Sequence, residues 1–388
     1  MDPKPSRAAL PLSVVFLGVV SFLTDASSEM IFPLLPAFLA AHIPGAPVLI
    51  GTMEGLADMV AAGTKWWSGR QADRSKRLKP FIIAGYGVAA AVRPLMAFAT
   101  RAWQPLVIRS VDRVGKGLRG SPRDAMISAW VGPGARGRAF GYHRAMDNGG
   151  AALGALLAAG LTAWGMSVEH VFLWAAVPGF ASVLFILPSR EPVREVKPKD
   201  AGELAPVPAR LWAYLVPVAL FGVANSTDAF ILLRLSQLGA SAAVLPLAWL
   251  MLNGVKALAS YPGGWLADRL GTGRVVLAGW VLYAASYAAL AWAHSVPQTL
   301  AVMAVYGLYH ALSEGGERAL LADLAPAECR GRAFGLYAAL GGVAALAGGV
   351  LFGAVWTAVS APAAFALAGA IAALSAMLLS VLLPRARG

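Results

Sequence analysis

The chain has 388 residues, 58% of them hydrophobic and 13% charged, with 32 Lys+Arg against 20 Asp+Glu for a net charge of +12. A soluble domain is nearer about 45–50% apolar and about 25% charged, so the composition excludes an ordinary globular fold in water, a disordered chain and, despite the basic balance, a nucleic-acid binder. It fits an integral membrane protein whose cations gather on the cytoplasmic side, and the single cysteine, Cys329, excludes a disulfide framework and a cysteine-based metal cluster.

A bilayer core about 30 Å thick needs about 20 apolar residues in a helix. Twelve stretches meet this, near 10–41, 46–68, 80–99, 103–128, 139–163, 170–188, 211–236, 244–265, 275–294, 300–322, 333–356 and 362–383. The first reads as a span and not as a signal peptide: its apolar run continues through Pro33 and Pro36, and no small-residue cleavage site follows. Cations fall on one side: Lys4 and Arg7, the cluster from Arg70 to Lys79, Arg136 and Arg138, the stretch from Arg190 to Arg210, Arg269 and Arg274, Arg330 and Arg332, and Arg385 and Arg387. The opposite loops hold Arg101 alone. The bias places both termini in the cytoplasm of a multi-pass protein of the cell (inner) membrane. Residues 189–210, with Pro192, Pro198, Pro206 and Pro208 among mixed charges, read as a cytoplasmic linker. It separates a six-helix bundle over 1–188 from another over 211–388.

The halves repeat. RGRAFG occurs at 136–141 and again at 330–335; GRQADR at 69–74 is echoed by GWLADR at 264–269, and Thr24-Asp25-Ala26 by Thr227-Asp228-Ala229. Three matches in one order pair spans 1 to 5 with spans 7 to 11, and repeated halves describe a rocking secondary transporter.

The loops GRQADRSKR (69–77) and GGWLADRLGTGR (263–274), after spans 2 and 8, resemble the signature of the major facilitator superfamily, roughly G-x-L-A-D-R-x-G-R-R. Lys76 stands at a glycine position of that pattern, and residues 146–154 match only part of the antiporter motif G-P-x-x-G-G, without its proline. Spans 1 and 4, with T-D-x-S-S-E-M and D-R-x-G-K-G-x-R-x-x-P-R-D, resemble a bacterial permease branch. The resemblance implies an all-α fold of twelve transmembrane helices in two pseudo-symmetric six-helix halves around a central cavity. It also implies cytoplasmic latches, with Asp73 at the start of span 11, Asp268 at the start of span 5 and Arg77 near Asp124. Asp73, Arg74, Arg77, Asp124, Asp268 and Arg269 are thus the expected gating residues.

Ionisable residues inside a membrane are costly and are functional candidates by default. Arg109, Asp112, Arg113, Lys116, Arg119 and Arg123 of span 4 fall, at 100° per residue, within an arc of about 120°; such a stripe must face protein. Span 1 carries Asp25 and Glu29 one turn apart, span 7 Asn225 and Asp228, and span 10 His310, Glu314 and Glu317 on one face. Span 5 adds Arg144, Asp147 and Asn148, span 8 Asn253 and Lys256, and span 2 Glu54, Asp58 and Lys65. In the resembled fold spans 1, 4, 7 and 10 line the cavity. Two readings share these residues: salt bridges between helices, and a site for a charged solute.

A cavity so charged favours a small polar solute, anionic or zwitterionic, moved by alternating access and bound by Arg109, Asp112, Arg113, Lys116, Asn225, His310, Glu314 and Glu317. Asp25, Glu29 and Asp228 are the expected proton-coupling acids. One alternative is a divalent metal or its chelate as cargo, with Asp25, Glu29, Asp228, His310 and Glu314 as ligands; another is drug:proton efflux. The sequence holds no H-E-x-x-H, G-x-S-x-G or Walker loop, so neither an enzyme nor a primary pump is expected. No cofactor is expected; the expected partners are a small-molecule substrate, protons and the lipid bilayer, with the chain acting as a monomer.

Overall fold

A computed structural model describes residues 10–75, 77–131, 136–191, 208, 211–325 and 330–387. Among these residues all regular structure is helical. The elements are α1 (Leu12–Ile31), α2 (Leu35–His42), α3 (Ala46–Arg74), α4 (Lys79–Val92) with a 3₁₀ extension Arg93–Phe98, α5 (Trp103–Trp130), α6 (Arg136–Ala163), α7 (Val168–Trp174) and α8 (Ala176–Ile186). Then come α9 (Trp212–Ala224), α10 (Ala229–Gln237), α11 (Val244–Leu270), α12 (Thr272–Ala291), α13 (Val296–Leu324), α14 (Arg330–Ala358) and α15 (Ala361–Arg387). Each expected span is one of these helices or a pair separated by a short break. Among the described residues seven stretches are long and apolar enough to cross a membrane by length and composition alone. The long helices α3, α5, α6, α11 and α13 fall outside that group; all of them carry the ionisable residues described above.

The breaks have local causes. Pro33 lies in the turn between α1 and α2. Pro94, which has no N–H to donate, stands at the start of the 3₁₀ segment that tightens span 3 at Arg93. Span 7 opens at Asn225-Ser226-Thr227, where Asn225 leaves the helical region (φ −75°, ψ 72°). The Ala224 carbonyl, at the end of α9, accepts from Tyr283 Oη at 2.8 Å and from the Ser226 N–H at 2.8 Å. A membrane helix interrupted in this way is tolerated when neighbouring groups satisfy the released backbone.

The chain divides into two compact units. Unit 1 comprises Met1–Phe38, Val60–Lys199 and Ala242–Leu247; unit 2 comprises Leu39–Met59, Asp200–Ser241 and Ala248–Gly388. In unit 1, Val14, Leu17, Val20, Ile82, Tyr86, Met126 and Ile127 form a buried core. Helices α4 and α5 approach through glycines: a Cβ on Gly115 would stand 2.6 Å from the Gly85 carbonyl oxygen, so neither position accepts a side chain without movement. Where α4 begins, Glu191 accepts from the N–H groups of Leu78 (2.6 Å) and Lys79 (3.2 Å), and Lys79 Nζ donates to the carbonyls of Leu187 (2.6 Å) and Ser189 (2.7 Å). The start of α4 and the chain after α8 thus satisfy each other's free backbone groups. Unit 2 is built around stacked rings, with Phe221 on Trp280 (4.3 Å, 2° between planes) and Tyr283 on Tyr287 (4.1 Å, 19°).

Candidate functional site

Each unit holds a polar cluster. In unit 1, α5 presents the span 4 stripe, and the structure divides it. Asp112, 2% exposed, is held by Arg93 of the 3₁₀ segment (Nε to Oδ1, 2.8 Å) and faces Arg109 one turn earlier (Nη1 to Oδ2, 3.7 Å). Arg93 Nη1 also donates to the Thr24 carbonyl of α1 at 2.8 Å, and the Arg109 guanidinium lies 5.2 Å from the Phe32 ring. Arg119 is buried over the Tyr86 ring at 4.6 Å. Arg123 donates twice to its neighbour Asp124, at 3.0 and 3.1 Å. Arg113 is half-buried, and Lys116 is the exposed cation of the stripe. A cavity of about 20 Å³, room for one water, lies among Ser28, Arg93, Met96, Arg109 and Asp112.

Asp25 and Glu29 lie within α1, clear of the break after Ile31. The charges of Asp147, Arg119, Lys116 and Arg93 act on Asp25.

In unit 2 the opened backbone of span 7 forms part of a larger cavity of about 190 Å³. Its wall is Glu54, Asp58 and glycines of α3, residues 225–228, His310 of α13 and small residues of α14. Asp228 precedes the first residue of α10. Its Oδ2 takes a 2.8 Å ion pair from Lys256 of α11, its Oδ1 accepts from Tyr306 Oη at 2.6 Å, and His310 Nε2 lies 4.0 Å from Oδ2. Glu317 is held differently: Trp280 Nε1 and Tyr337 Oη each donate to its carboxylate at 2.8 Å, and Tyr214 Oη donates to its backbone carbonyl at 2.7 Å.

The expected residues are therefore gathered in part. Asp228, His310 and Asn225 line one cavity, with Asp228 also ion-paired to Lys256; Arg109 and Asp112 face each other beside the small unit 1 cavity, and the Glu317 carboxylate is taken by two aromatic donors. Asp25 and Glu29 belong to unit 1, and Asp228 and His310 to unit 2. Among the described residues no group of three or more His, Cys, Asp or Glu is placed to hold a metal ion. The side chains of Asp73, Arg74, Asp268 and Glu314 lie outside the described residues. Arg77 is exposed, its N–H bonded to Ser75 Oγ at 3.2 Å, while Asp124 is taken by Arg123; Arg269 lies over the Trp265 ring at 4.0 Å. Four participants carried no assigned role in the sequence reading. Arg93 had a signal, a lone cation inside an apolar span. Glu54 and Asp58, one turn apart on span 2, had the same signal as Asp25 and Glu29. Tyr306 had none.

A family model of the Major Facilitator Superfamily matches residues 17–255 and 233–388. An uncharacterized MFS-type transporter of Methanocaldococcus jannaschii is 29% identical over 380 residues, covering 95% of this chain and 94% of its own. The multidrug resistance protein MdtH of Yersinia enterocolitica is 30% identical over 179 residues, 46% of this chain and 42% of its own. Among solved structures, a POT family transporter in complex with 5-aminolevulinic acid superposes with a TM-score of 0.78 at 12% identity, covering 100% of this chain and 99% of that one. The nucleoside transporter NupG superposes with a TM-score of 0.77 at 14% identity, covering 96% and 98%; likenesses at such identity show the fold. Cavities lined by buried charge, a helical membrane architecture and these matches agree, and the chain belongs to the major facilitator superfamily, as a multi-pass membrane transporter of small molecules.

Proposed function

We propose that the chain is a proton-coupled secondary transporter that moves a small zwitterionic solute by alternating access. All twelve helical stretches are read as spans, in two six-helix halves joined by the 189–210 linker. Both termini lie in the cytoplasm, and the chain works as a monomer in the inner membrane. The observation that carries the solute class is the unit 2 cavity. Glu54 and Asp58 stand on its wall beside Asp228, whose own charge is met by Lys256, no Lys or Arg among the described residues lines it, and its polar edge is the opened backbone at 225–227. Such a wall suits an ammonium group, which a purely anionic solute lacks. The exposed Lys116 and half-buried Arg113 of span 4 are kept as the candidate solute-binding cations of unit 1. Arg109, Asp112 and Glu317 are read as structural, and the signature-loop residues as gates.

The test is uptake into proteoliposomes under an imposed pH gradient. The zwitterion 5-aminolevulinic acid is compared with levulinic acid, the same skeleton without its amino group. Gradient-driven accumulation of the first and not the second supports the reading. Uptake of both at one rate removes the ammonium from recognition, and uptake of neither refutes the solute class. The multidrug resistance name of the MdtH relative favours a second reading, drug:proton efflux, which predicts gradient-driven ethidium transport in the same vesicles and neither organic acid.

A further inference from the structure

We infer that His143 of α6, paired with Asp147 one turn later, is a proton-carrying residue of the transport cycle. The inference rests on the proton coupling proposed above. His143 is 3% exposed. Its Nδ1 lies 3.3 Å from Asp147 Oδ1, and its Nε2 is buried without a hydrogen-bond partner among the described residues. A buried polar atom without a partner is uncommon. Asp147 Oδ1 is likewise buried without a hydrogen-bond partner among the described residues; in the tautomer that carries its proton on Nδ1, towards Asp147, Nε2 is the ring position at which a proton can be added. Loading it converts the neutral imidazole into an imidazolium beside a carboxylate; unloading restores the neutral ring. The proton comes from water on one side of the membrane and leaves to water on the other, so no further reactant is needed. Histidine is the side chain whose charge ordinarily changes between pH 5 and 8.

The surroundings fit a relay. Helix α6 packs along α1, where Gly150 lies against the Phe22 carbonyl and Gly154 against the Ala26 carbonyl. From α1, the Ser21 hydroxyl faces Asp147 and the Asp25 carboxylate acts on it; from α5, Arg123 does so. Tyr142 and Arg144 flank His143 on its own helix. Helix α7, with Glu169 and His170, follows the far end of α6, roughly 30 Å along the axis at 1.5 Å per residue. His143, Asp147 and Asp25 thus form a titratable group inside unit 1.

Two measurements on the full chain test the assignment. The first is a histidine NMR titration of the solubilised protein labelled at its five histidines. The signal lost in His143→Gln is expected to move as the ring takes up a proton on acidification. A signal that does not move over the pH range in which the protein stays folded overturns the proposal. If His143→Gln does not fold, the variant in which His42, His170, His294 and His310 are replaced by Gln isolates the same signal.

The second is transport of 5-aminolevulinic acid. One proton per solute across one pH unit supplies 1.36 kcal/mol, a limit of about tenfold accumulation. His143→Gln and Asp147→Asn are expected to abolish this accumulation while keeping gradient-free counterflow within about twofold, because binding and rocking remain. Wild-type accumulation in either variant overturns the inference. A wild-type protein that accumulates nothing refutes the proposed function, while the NMR arm still decides whether His143 takes up a proton.

Discussion

Replacing Asp112 separates a structural role from a binding role. Its two oxygens lie 2.8 Å from Arg93 Nε and 3.7 Å from Arg109 Nη1. At an effective dielectric of about 20, unit charges at those distances attract by about 6 and about 4.5 kcal/mol. Desolvation takes back much of that gross attraction, and breaking a buried pair typically costs about 3–5 kcal/mol. Asp112→Asn deprives two buried guanidiniums of their carboxylate and belongs at the upper end. Arg93→Gln leaves Asp112 facing Arg109 and belongs at the lower end. At roughly 2–4 °C per kcal/mol for a domain of this size, Asp112→Asn lowers the Tm in detergent by about 10–20 °C and Arg93→Gln by about 6–12 °C. The assay is thermal unfolding of the purified chain followed by intrinsic fluorescence, with transport of the zwitterion titrated against its concentration below the transition. The Michaelis constant is expected within about twofold of wild type, since neither charge is left for the solute to meet. An Asp112→Asn protein as stable as wild type, with that constant raised tenfold, would falsify the reasoning and return Asp112 to the binding site.

Gly115→Ala places a methyl against the Gly85 carbonyl and is expected to cost about 1–3 kcal/mol; Gly87→Ala on α4, with nothing within 4 Å of a Cβ, should leave the Tm unchanged or raise it. Equal Tm values for the two would refute close α4–α5 packing. Glu191→Gln weakens a charged cap on the first N–H groups of span 3 and should destabilise by about 1 kcal/mol, read as a Tm drop that high salt narrows. Lys116→Gln should weaken capture of the zwitterion, read as a raised Michaelis constant, with little change in Tm, because the exposed ammonium holds no ion pair among the described residues; a Tm loss with unchanged transport would make it structural.

The helices and their limits were legible in the sequence because lipid imposes a blunt requirement, about 20 apolar residues per crossing. The repeated RGRAFG and A-D-R strings are written in the sequence itself, and the 100° step shows that the charges of span 4 share one face. Which of those charges are spent on each other was not legible. Asp112 meets Arg93 from the preceding helix, and Asp228 meets Lys256 and Tyr306 from two later ones, pairings that no local spacing encodes. Span 7 opens at Asn225-Ser226-Thr227 with neither proline nor glycine to announce it, because its stability rests on a tyrosine hydroxyl brought from α12. Glu317 reads on the helical wheel as a cavity residue, yet two aromatic donors claim its carboxylate. A histidine within a polar helix has no periodic signature; only burial leaves the Nε2 of His143 without a partner among the described residues. Periodicity is a property of one helix and is written along the chain, whereas the fate of a buried charge depends on which helices fold against it.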